Sequence, residues 1–253
     1  MKIKPKNSNA FTLVELLVVI SIIALLLAIL MPSLSAARQQ AKGVMCLSKL
    51  KQMALAANAY TADYKGHFPL GCYKEFSGTT KTDYVWDFTT TNNFSTSSKK
   101  YSPGILWNHT DSMAIQQCPS FKGSSNAGSE PYTGYNYNVS YIGRGTGFSV
   151  TQSAKITDVK KPGQTALFGD GQYEAGANKF MRSPFASPYD KNFAQRYAGT
   201  QGFRHRKQTN VAFCDGHAEA LSKRYTNTYK EYIRDVADGT GFLSEDNSLY
   251  DLE

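Results

Sequence analysis

A long apolar stretch near the amino terminus constrains this chain more than any other feature. Residues 11–31 read FTLVELLVVISIIALLLAILM, and Glu15 is the single charged residue among them. As an α-helix this stretch would be about 31 Å long, which is enough to cross the hydrocarbon core of a bilayer. The whole chain has a mean hydropathy of −0.41, which excludes a protein with many membrane spans. The sequence therefore predicts one spanning helix followed by a water-exposed remainder.

The charges in front of the apolar stretch predict its orientation. Residues 1–10, MKIKPKNSNA, contain Lys2, Lys4 and Lys6 and no acidic residue. Lysines on one side of a span favour the cytoplasmic side for that end, so the bulk of the chain is expected outside the cytoplasm. The full chain has 28 basic and 20 acidic residues. Removal of the three lysines would leave 25 against 20, which gives little support for nucleic-acid binding.

Two ordinary explanations of the stretch are a signal anchor and a cleaved signal peptide. Ser35-Ala36-Ala37 offers a small-x-small cleavage site before Arg38, but the apolar run is longer than the usual signal-peptide core of about 7–15 residues. A carboxylate costs about 2.5–3.5 kcal/mol at the bilayer centre and less near an interface, and an intramembrane carboxylate such as Glu15 usually has a partner. Neither explanation supplies one.

The residues around Glu15 resemble a known processing signal. A basic leader, the small residue Ala10 and then FTLVELLVVI are similar to the class III signal of type IV pilins and type II secretion pseudopilins, which usually have Gly where Ala10 stands. The resemblance implies that a prepilin peptidase cleaves between Ala10 and Phe11 and methylates the amine of Phe11. It also implies that Glu15 pairs with the terminal amine of a neighbouring subunit. Pro32 matches a common position of a helix kink in this family.

Helical spacing continues beyond the apolar stretch. Apolar residues recur every three or four positions, which predicts one face of a helix. This stripe comprises Leu34, Ala37, Ala41, Val44, Leu47, Leu50, Ala54, Ala57 and Tyr60. Gly66 is expected to stop the helix, which would run from about residue 11 to residue 64. The expected divisions are a leader (1–10), a membrane and filament-core helix (11–31), an amphipathic half (32–65) and a β-rich globular domain (66–253).

A β-hairpin is predicted in TNVAFCDGHAEALS, residues 209–222. Val211 and Phe213 would lie on one face of the first strand, and Ala212 and Cys214 on the other. Asp-Gly at positions 215–216 is typical of a type I′ turn, which needs positive φ at both residues. With the long helix, such strands fit an α+β, pilin-like fold with an antiparallel sheet and a loop-rich carboxy-terminal part, as the resemblance implies.

Further motifs resemble a group of bacterial proteins that combine pilin-type amino termini with an H-X9-DG element. His205 precedes Asp215-Gly216 by nine intervening residues. Residues 46–52, CLSKLKQ, are similar to the C-x-x-N-L-K-Q pattern of that group, with Lys in place of Asn at position 49. Cys118-Pro119-Ser120 resembles its C-P-S element.

The histidine and aspartate of this element admit two interpretations. His205, Asp215 and His217 could bind zinc or a similar ion, with Asp170 near them in space. Alternatively, Asp215 serves the turn and His205 hydrogen-bonds a loop. The sequence favours the structural interpretation, and no cofactor is predicted.

The four cysteines are Cys46, Cys72, Cys118 and Cys214, and on the predicted topology they lie outside the cytoplasm. Disulfides are favoured in such a compartment, and three pairings exist. The preferred pairing is Cys46–Cys118 with Cys72–Cys214, because the first bond would tie the helix to the domain. Four free, buried thiols are the alternative.

Catalysis is not expected. Cys214 beside His217 is poorly placed for a nucleophile and base, because residues on a tight hairpin rarely present an activated thiolate. The sequence contains no G-x-S-x-G, H-E-x-x-H, P-loop or C-x-x-C motif.

The predicted function is therefore that of a pseudopilin or minor pilin of a type II secretion or type IV pilus-like filament. Its expected partners are a prepilin peptidase, other subunits through residues 11–31, and inner-membrane lipid. DNA is a further partner that the tyrosine-rich composition alone does not support. The alternative is a single-pass, membrane-anchored envelope binding protein that does not assemble.

Overall fold

A computed structural model describes most of the chain. The described residues are 12–107, 115–124, 134–144, 152–174, 176–191, 193, 196–226 and 236–253. The chain divides into two compact units, of which the first ends at Ala41 and the second comprises Lys42–Glu253. The predicted cleavage site at Ala10 and Phe11 lies outside the described residues.

One helix, α1, runs from Leu13 to Asp63 and has Pro32 inside it. These bounds agree with the predicted 11–64. Its amino-terminal part is apolar and exposed, with every residue from 12 to 42 open to solvent. By length and composition α1 is able to cross a membrane, and an 18-residue window of it has a mean hydropathy of 3.1.

The carboxy-terminal part of α1 buries one face in the second unit. This face consists of Cys46, Leu50, Met53, Ala54, Ala57 and Thr61. The prediction was right for Leu50, Ala54 and Ala57 and wrong for Val44, which is 64% exposed. Val44 lies two residues before Cys46 and therefore about 200° around the helix from it, on the opposite side.

The helix ends where the sequence predicted. Gly66 has a φ of +83°, and its N–H donates to the carbonyl of Thr61 at 2.8 Å. Lys65 also has positive φ, at 54°. Because glycine has no Cβ, Gly66 adopts the left-handed conformation without steric cost, and it is therefore suited to end the helix.

The described strands form three sheets. Their bounds are β1 Cys72–Ser77, β2 Thr80–Val85, β3 Phe88–Asn93, β4 Ser98–Pro103, β5 Asn136–Asn138, β6 Ala166–Gly169, β7 Phe180–Met181, β8 Gln201–Gly202, β9 Thr209–Phe213, β10 Ala218–Leu221 and β11 Thr240–Gly241. The first sheet is an antiparallel meander in the order β1-β2-β3-β4. The second has the order β10-β9-β6-β5-β7, and β8 and β11 form a small pair. All described pairings between strands are antiparallel except β5 with β7. The protein therefore has the predicted α+β, pilin-like arrangement.

Strand β9 is an interior strand whose two faces serve two apolar cores. Ala212 and Cys214 belong to the larger core, which also contains the buried face of α1. Val211 and Phe213 belong to a smaller core with Phe242. The predicted alternation is confirmed, because successive side chains of a strand point to opposite faces.

The turn after β9 corrects one detail of the prediction. The hairpin is present, with Ala218 opposite Ala212. Of the two turn residues only Gly216 has positive φ, at +92°. The turn is therefore not type I′, since that geometry needs positive φ at both positions. Asp215 instead accepts a hydrogen bond from the backbone N–H of His217 at 3.0 Å.

Three aromatic side chains form the centre of the larger core. Trp86, Tyr137 and Phe168 are almost completely buried, with ring centroids 4.9–5.8 Å apart. The indole N–H of Trp86 donates to the carbonyl of Lys179 at 3.0 Å, and the Tyr137 hydroxyl donates to that of Pro69 at 2.8 Å. Both polar ends are thus satisfied inside the core.

Candidate functional site

The amino end of α1 carries a capping box around Glu15. The carboxylate oxygen Oε2 accepts hydrogen bonds from the Thr12 backbone N–H at 2.8 Å and from the Thr12 hydroxyl at 2.7 Å. In return, the Glu15 N–H donates to the Thr12 hydroxyl oxygen at 3.2 Å. This reciprocal pattern satisfies donors that the first helical turn otherwise leaves free. This role of Glu15 was not predicted, although Thr-x-x-Glu is the usual sequence signature of a capping box.

The helix surface beyond Glu15 is apolar on every side. Fifteen large apolar side chains from Leu13 to Met31 are 45–81% exposed. A continuous exposed surface of this kind is unusual for a soluble monomer and marks a membrane or protein contact. A helix that is hydrophobic all round is otherwise buried in a core or in lipid.

A second group of functional side chains is buried in the unit Lys42–Glu253. Cys46 lies on α1, and Cys118 belongs to the C-P-S segment. Asp170 directly follows β6, and His205 lies in the loop before β9. The Cys46 Sγ lies 3.5 Å from the Cys118 Sγ and 3.0 Å from the Asp170 Oδ1. The His205 Nε2 lies 3.6 Å from the Cys118 Sγ and 3.2 Å from the Asp170 Oδ2. We call these four residues the Cys₂–Asp–His cluster.

Polar neighbours surround the cluster. Arg204 donates to the Cys118 Sγ at 3.4 Å and to the Asp170 Oδ1 at 3.1 Å, and it also donates to the carbonyl of Gly134. The Tyr135 hydroxyl donates to the Cys46 Sγ at 3.2 Å. The backbone N–H of Asn210 donates to the Asp170 Oδ2 at 2.7 Å.

Gly43 of α1 lies beside the loop that carries His205. A Cβ at this position would lie 3.7 Å from the His205 Nδ1, in ordinary contact. The Asn210 side chain donates to the Gly43 carbonyl at 3.3 Å, which joins β9 to the helix. The His205 Nδ1 has no hydrogen-bond partner among the described residues.

The protonation of the cluster follows from burial and from Arg204. Burial raises the pKa of the Cys46 thiol. The pKa of Cys118 is lowered to about 4, first by its hydrogen bond with Cys46 and then by its hydrogen bond with His205 and the positive charge of Arg204. Burial opposes ionisation of Asp170, but Arg204 and His205 hold its pKa below the ordinary value. For His205, the Asp170 and Cys118 contacts outweigh burial and raise the pKa to about 9.

The geometry does not match a nucleophile with an oriented base. In a catalytic triad, the acid holds one imidazole nitrogen while the other faces the nucleophile. Here the Nε2 of His205 faces both Asp170 and Cys118, and the Cys118 side chain has no exposed surface.

The structure separates the candidate ligands of the less favoured metal interpretation of H-X9-DG, which were His205, Asp215 and His217. Asp215 and His217 lie beyond the end of β9, paired with each other at 2.6 Å, and both side chains are at least 40% exposed. His205 lies before the start of the same strand. Among the described residues, the group with ligand atoms close enough to share an ion is the Cys₂–Asp–His cluster, with all four atoms within 4.8 Å. The predicted proximity of Asp170 to His205 is confirmed. That Cys46 and Cys118 also lie beside these two residues was not predicted.

All four cysteines are free and buried. The structure brings the predicted pair Cys46 and Cys118 together, but as two thiols with sulfurs 3.5 Å apart rather than as a disulfide. Cys72 and Cys214 are likewise free, so the second predicted bond is not formed either.

Comparison with known proteins places the chain in a family. A family profile described as "Protein of unknown function (DUF1559)" matches residues 35–172, more than half of the chain. The chain belongs to this DUF1559 family. Cys46, Cys118 and Asp170 lie within the matched region, and His205 lies beyond it. A second profile, "Prokaryotic N-terminal methylation motif", matches residues 5–31 of this DUF1559 protein.

A curated relative supports the pilin-like assignment. The DUF1559 protein is 41% identical over 58 residues to the "Type IV wide pilus major component PilA4" of Thermus thermophilus. The alignment covers 23% of this chain and 44% of the relative, so the chain spans less than half of the relative's length. No solved structure matches the chain. The recognised features are those of a pilin-like structural protein.

Proposed function

We propose that this DUF1559 protein is a pseudopilin or minor pilin that is cleaved between Ala10 and Phe11, methylated at Phe11 and assembled into a type IV pilus-like or type II secretion filament. The observation that carries the proposal is the exposed apolar half of α1, which coincides with the methylation motif at residues 5–31. The pilus component among the relatives supports the same function.

The exposed apolar side chains of α1 must be shielded from water both in the membrane and in a filament. Lipid covers it while the helix is in the membrane, where the helix satisfies its own backbone hydrogen bonds. Once the chain leaves the bilayer, the fifteen exposed side chains need other apolar surfaces. Identical helices packed side by side supply such surfaces, so assembly replaces lipid with sister helices.

Glu15 supplies the polar specificity of this packing. Its carboxylate is satisfied locally by Thr12 in the single chain. The capping box uses one carboxylate oxygen, Oε2, and leaves acceptor capacity for a further donor. The methylated terminal amine of a neighbouring Phe11 is a cation that matches it. A buried ion pair of this kind fixes register, because removing one partner leaves the other charge unpaired.

The charges of the leader support the proposed topology. Lysines at residues 1–10 favour the cytoplasmic side for this end, so in the proposed topology the unit Lys42–Glu253 lies outside the cytoplasm. A prepilin peptidase and inner-membrane lipid are therefore the first partners of the chain, and sister subunits follow.

Two substitutions of Glu15 and one of Thr12 test the proposal. Glu15→Gln keeps an acceptor oxygen for the capping box but removes the charge, whereas Glu15→Ala removes both. Thr12→Ala removes the capping hydroxyl, costs about 0.5–2 kcal/mol at the helix end and leaves the charge in place. Filament fractions sheared from cells and membrane fractions are compared by immunoblot.

The expected result separates insertion from assembly. All three variants insert into the membrane, and the two Glu15 variants are lost from filaments while Thr12→Ala is retained. An unpaired buried charge costs about 3–5 kcal/mol, so each contact weakens by roughly 100-fold or more. Wild-type amounts of Glu15→Gln in filaments would contradict the proposed pairing. Wild-type protein that stays in the membrane as a monomer would identify a non-assembling envelope anchor.

A further inference from the structure

We propose that the Cys₂–Asp–His cluster is a binding site for one zinc-class divalent metal ion, held by the sulfurs of Cys46 and Cys118, a carboxylate oxygen of Asp170 and the Nε2 of His205.

The positions of the four ligand atoms match the size of a tetrahedral zinc centre. Zinc bonds of about 2.0–2.3 Å place neighbouring ligand atoms roughly 3.3–3.8 Å apart. The observed spacings are 3.5 Å between the sulfurs and 3.6 Å from the Cys118 Sγ to the His205 Nε2. The carboxylate of Asp170 places its Oδ2 3.2 Å from the same imidazole nitrogen and its Oδ1 3.0 Å from the Cys46 Sγ. One ligand atom from each of the four residues lies within 4.8 Å of the other three, so small shifts of the side chains would complete the geometry around one ion.

The kinds of ligand select the metal. Two thiols and an imidazole favour zinc and similar borderline or soft ions. Calcium and magnesium prefer sites built from oxygen alone, and Asp170 is the single oxygen donor here. The four residues come from separate parts of the chain, and their side chains are buried.

Residues next to the cluster donate hydrogen bonds to its ligand atoms, as the residues around the ligands of a metal site do. Tyr135 donates to the Cys46 Sγ, and Arg204 donates to both the Cys118 Sγ and the Asp170 Oδ1. Such hydrogen bonds orient ligands and stabilise thiolates. Two thiolates, one carboxylate, a divalent ion and the Arg204 guanidinium sum to zero charge, which suits a buried position.

A disulfide between Cys46 and Cys118 is the competing arrangement. It would bring the sulfurs from 3.5 Å to about 2.05 Å. It would account for two of the four residues and leave Tyr135 and Arg204 donating to disulfide sulfurs, which are weak acceptors. The metal accounts for all four side chains and for their donors.

Metal analysis of the full-length chain tests the proposal. The protein is purified in detergent under reducing, anaerobic conditions, loaded with zinc and freed of excess ion, and its zinc content is measured by mass spectrometry. Cobalt(II) is then used as a spectroscopic probe. We expect one zinc per chain and a cobalt spectrum with thiolate charge-transfer bands and the visible bands of a tetrahedral centre.

Matched variants assign the ligands. Cys46→Ala, Cys118→Ala and His205→Gln should each lose stoichiometric zinc and the tetrahedral cobalt spectrum. Cys72→Ala and Cys214→Ala, which remove buried thiols outside the cluster, should keep both. His205→Cys offers a third sulfur and should keep the metal with stronger charge-transfer bands, and the fluorescence of the buried Trp86 and Trp107 verifies folding of every variant.

Two results would overturn the metal site without bearing on the filament. One is a folded, fully reduced wild-type protein that binds no zinc. The other is stoichiometric zinc in folded Cys46→Ala, Cys118→Ala and His205→Gln proteins.

Discussion

Asp190 is the centre of a buried charge network, and its replacement by asparagine gives a quantitative test of the fold. Its Oδ2 lies 2.7 Å from the Arg196 Nη1 and 3.1 Å from the Arg182 Nη1, and it accepts a hydrogen bond from the Ser140 hydroxyl at 2.6 Å. The Asp190 side chain has no exposed surface, and those of the two arginines are 1% and 5% exposed. Asparagine keeps the shape and removes the charge that both guanidinium groups face.

The expected cost is large. Removing one member of a buried ion network costs about 3–5 kcal/mol, because the remaining charges stay buried without compensation. Total stabilities of domains are about 5–15 kcal/mol, so Asp190→Asn should bring the unit close to unfolding. The matched control is Asp83→Asn, whose carboxylate lies 2.8 Å from the Lys81 Nζ with both side chains at least 20% exposed. Partly exposed pairs contribute about 0–1 kcal/mol.

Tryptophan fluorescence measures the two costs. The chain has two tryptophans, Trp86 and Trp107, and they are 1% and 2% exposed in the unit Lys42–Glu253. Urea titrations of the full chain in detergent should show a much lower midpoint for Asp190→Asn and a nearly unchanged one for Asp83→Asn. Equal midpoints for the two variants would refute the reasoning.

Acid should weaken the same network. Burial opposes ionisation of Asp190, but Arg196 and the Ser140 hydrogen bond hold its pKa below the ordinary value. A lowered pKa gives stability that is present above the unfolded-state pKa and is lost as pH falls through the folded-state value. Asp190→Asn should therefore flatten the acid side of the stability profile, and an unaltered acid side would contradict this assignment.

Two further pairs of substitutions test the packing around the core by the same fluorescence titration. Met53→Ala should cost about 2–5 kcal/mol of stability because the Met53 side chain is fully buried. Val44→Ala, on the exposed face of the helix, should change stability by less than about 0.5 kcal/mol. The reverse order of the two costs would mean that another face of the helix is buried. Gly104→Ala should destabilise strongly because its Cβ would clash with the backbone of Asp87. Gly78→Ala, at φ +56° in open space, should cost about 1 kcal/mol. Similar costs for both would contradict the close approach at Gly104.

The local patterns in the sequence predicted the long helix and the hairpin. An apolar run and a 3.6-residue period specify α1 without knowledge of the tertiary structure. Alternation alone assigned Val211 and Phe213 to one face of β9 and Ala212 to the other, as the two cores confirm. The wrong position at Val44 arose because a wide apolar stripe fixes the buried face of a helix only to within a turn.

The Cys₂–Asp–His cluster could not be predicted in the same way. Cys46 is 72 residues from Cys118 and 124 from Asp170, so their proximity depends on how α1, β6 and β9 pack. The motifs did contain the residues, since Cys46, Cys118 and His205 each belong to a recognised element. What the sequence lacked was the information that these elements meet at one point, and that Asp215 and His217 lie at the other end of β9.

The amino terminus of the mature protein tests the central claim most directly. The protein is isolated from the cell envelope, digested, and its first peptide is sequenced by mass spectrometry. A processed filament subunit predicts a chain that begins at Phe11 with a methylated amine, in filament fractions as well as in membranes. A chain that still begins at Met1, or one that begins at Arg38 and lacks the apolar helix, would contradict it.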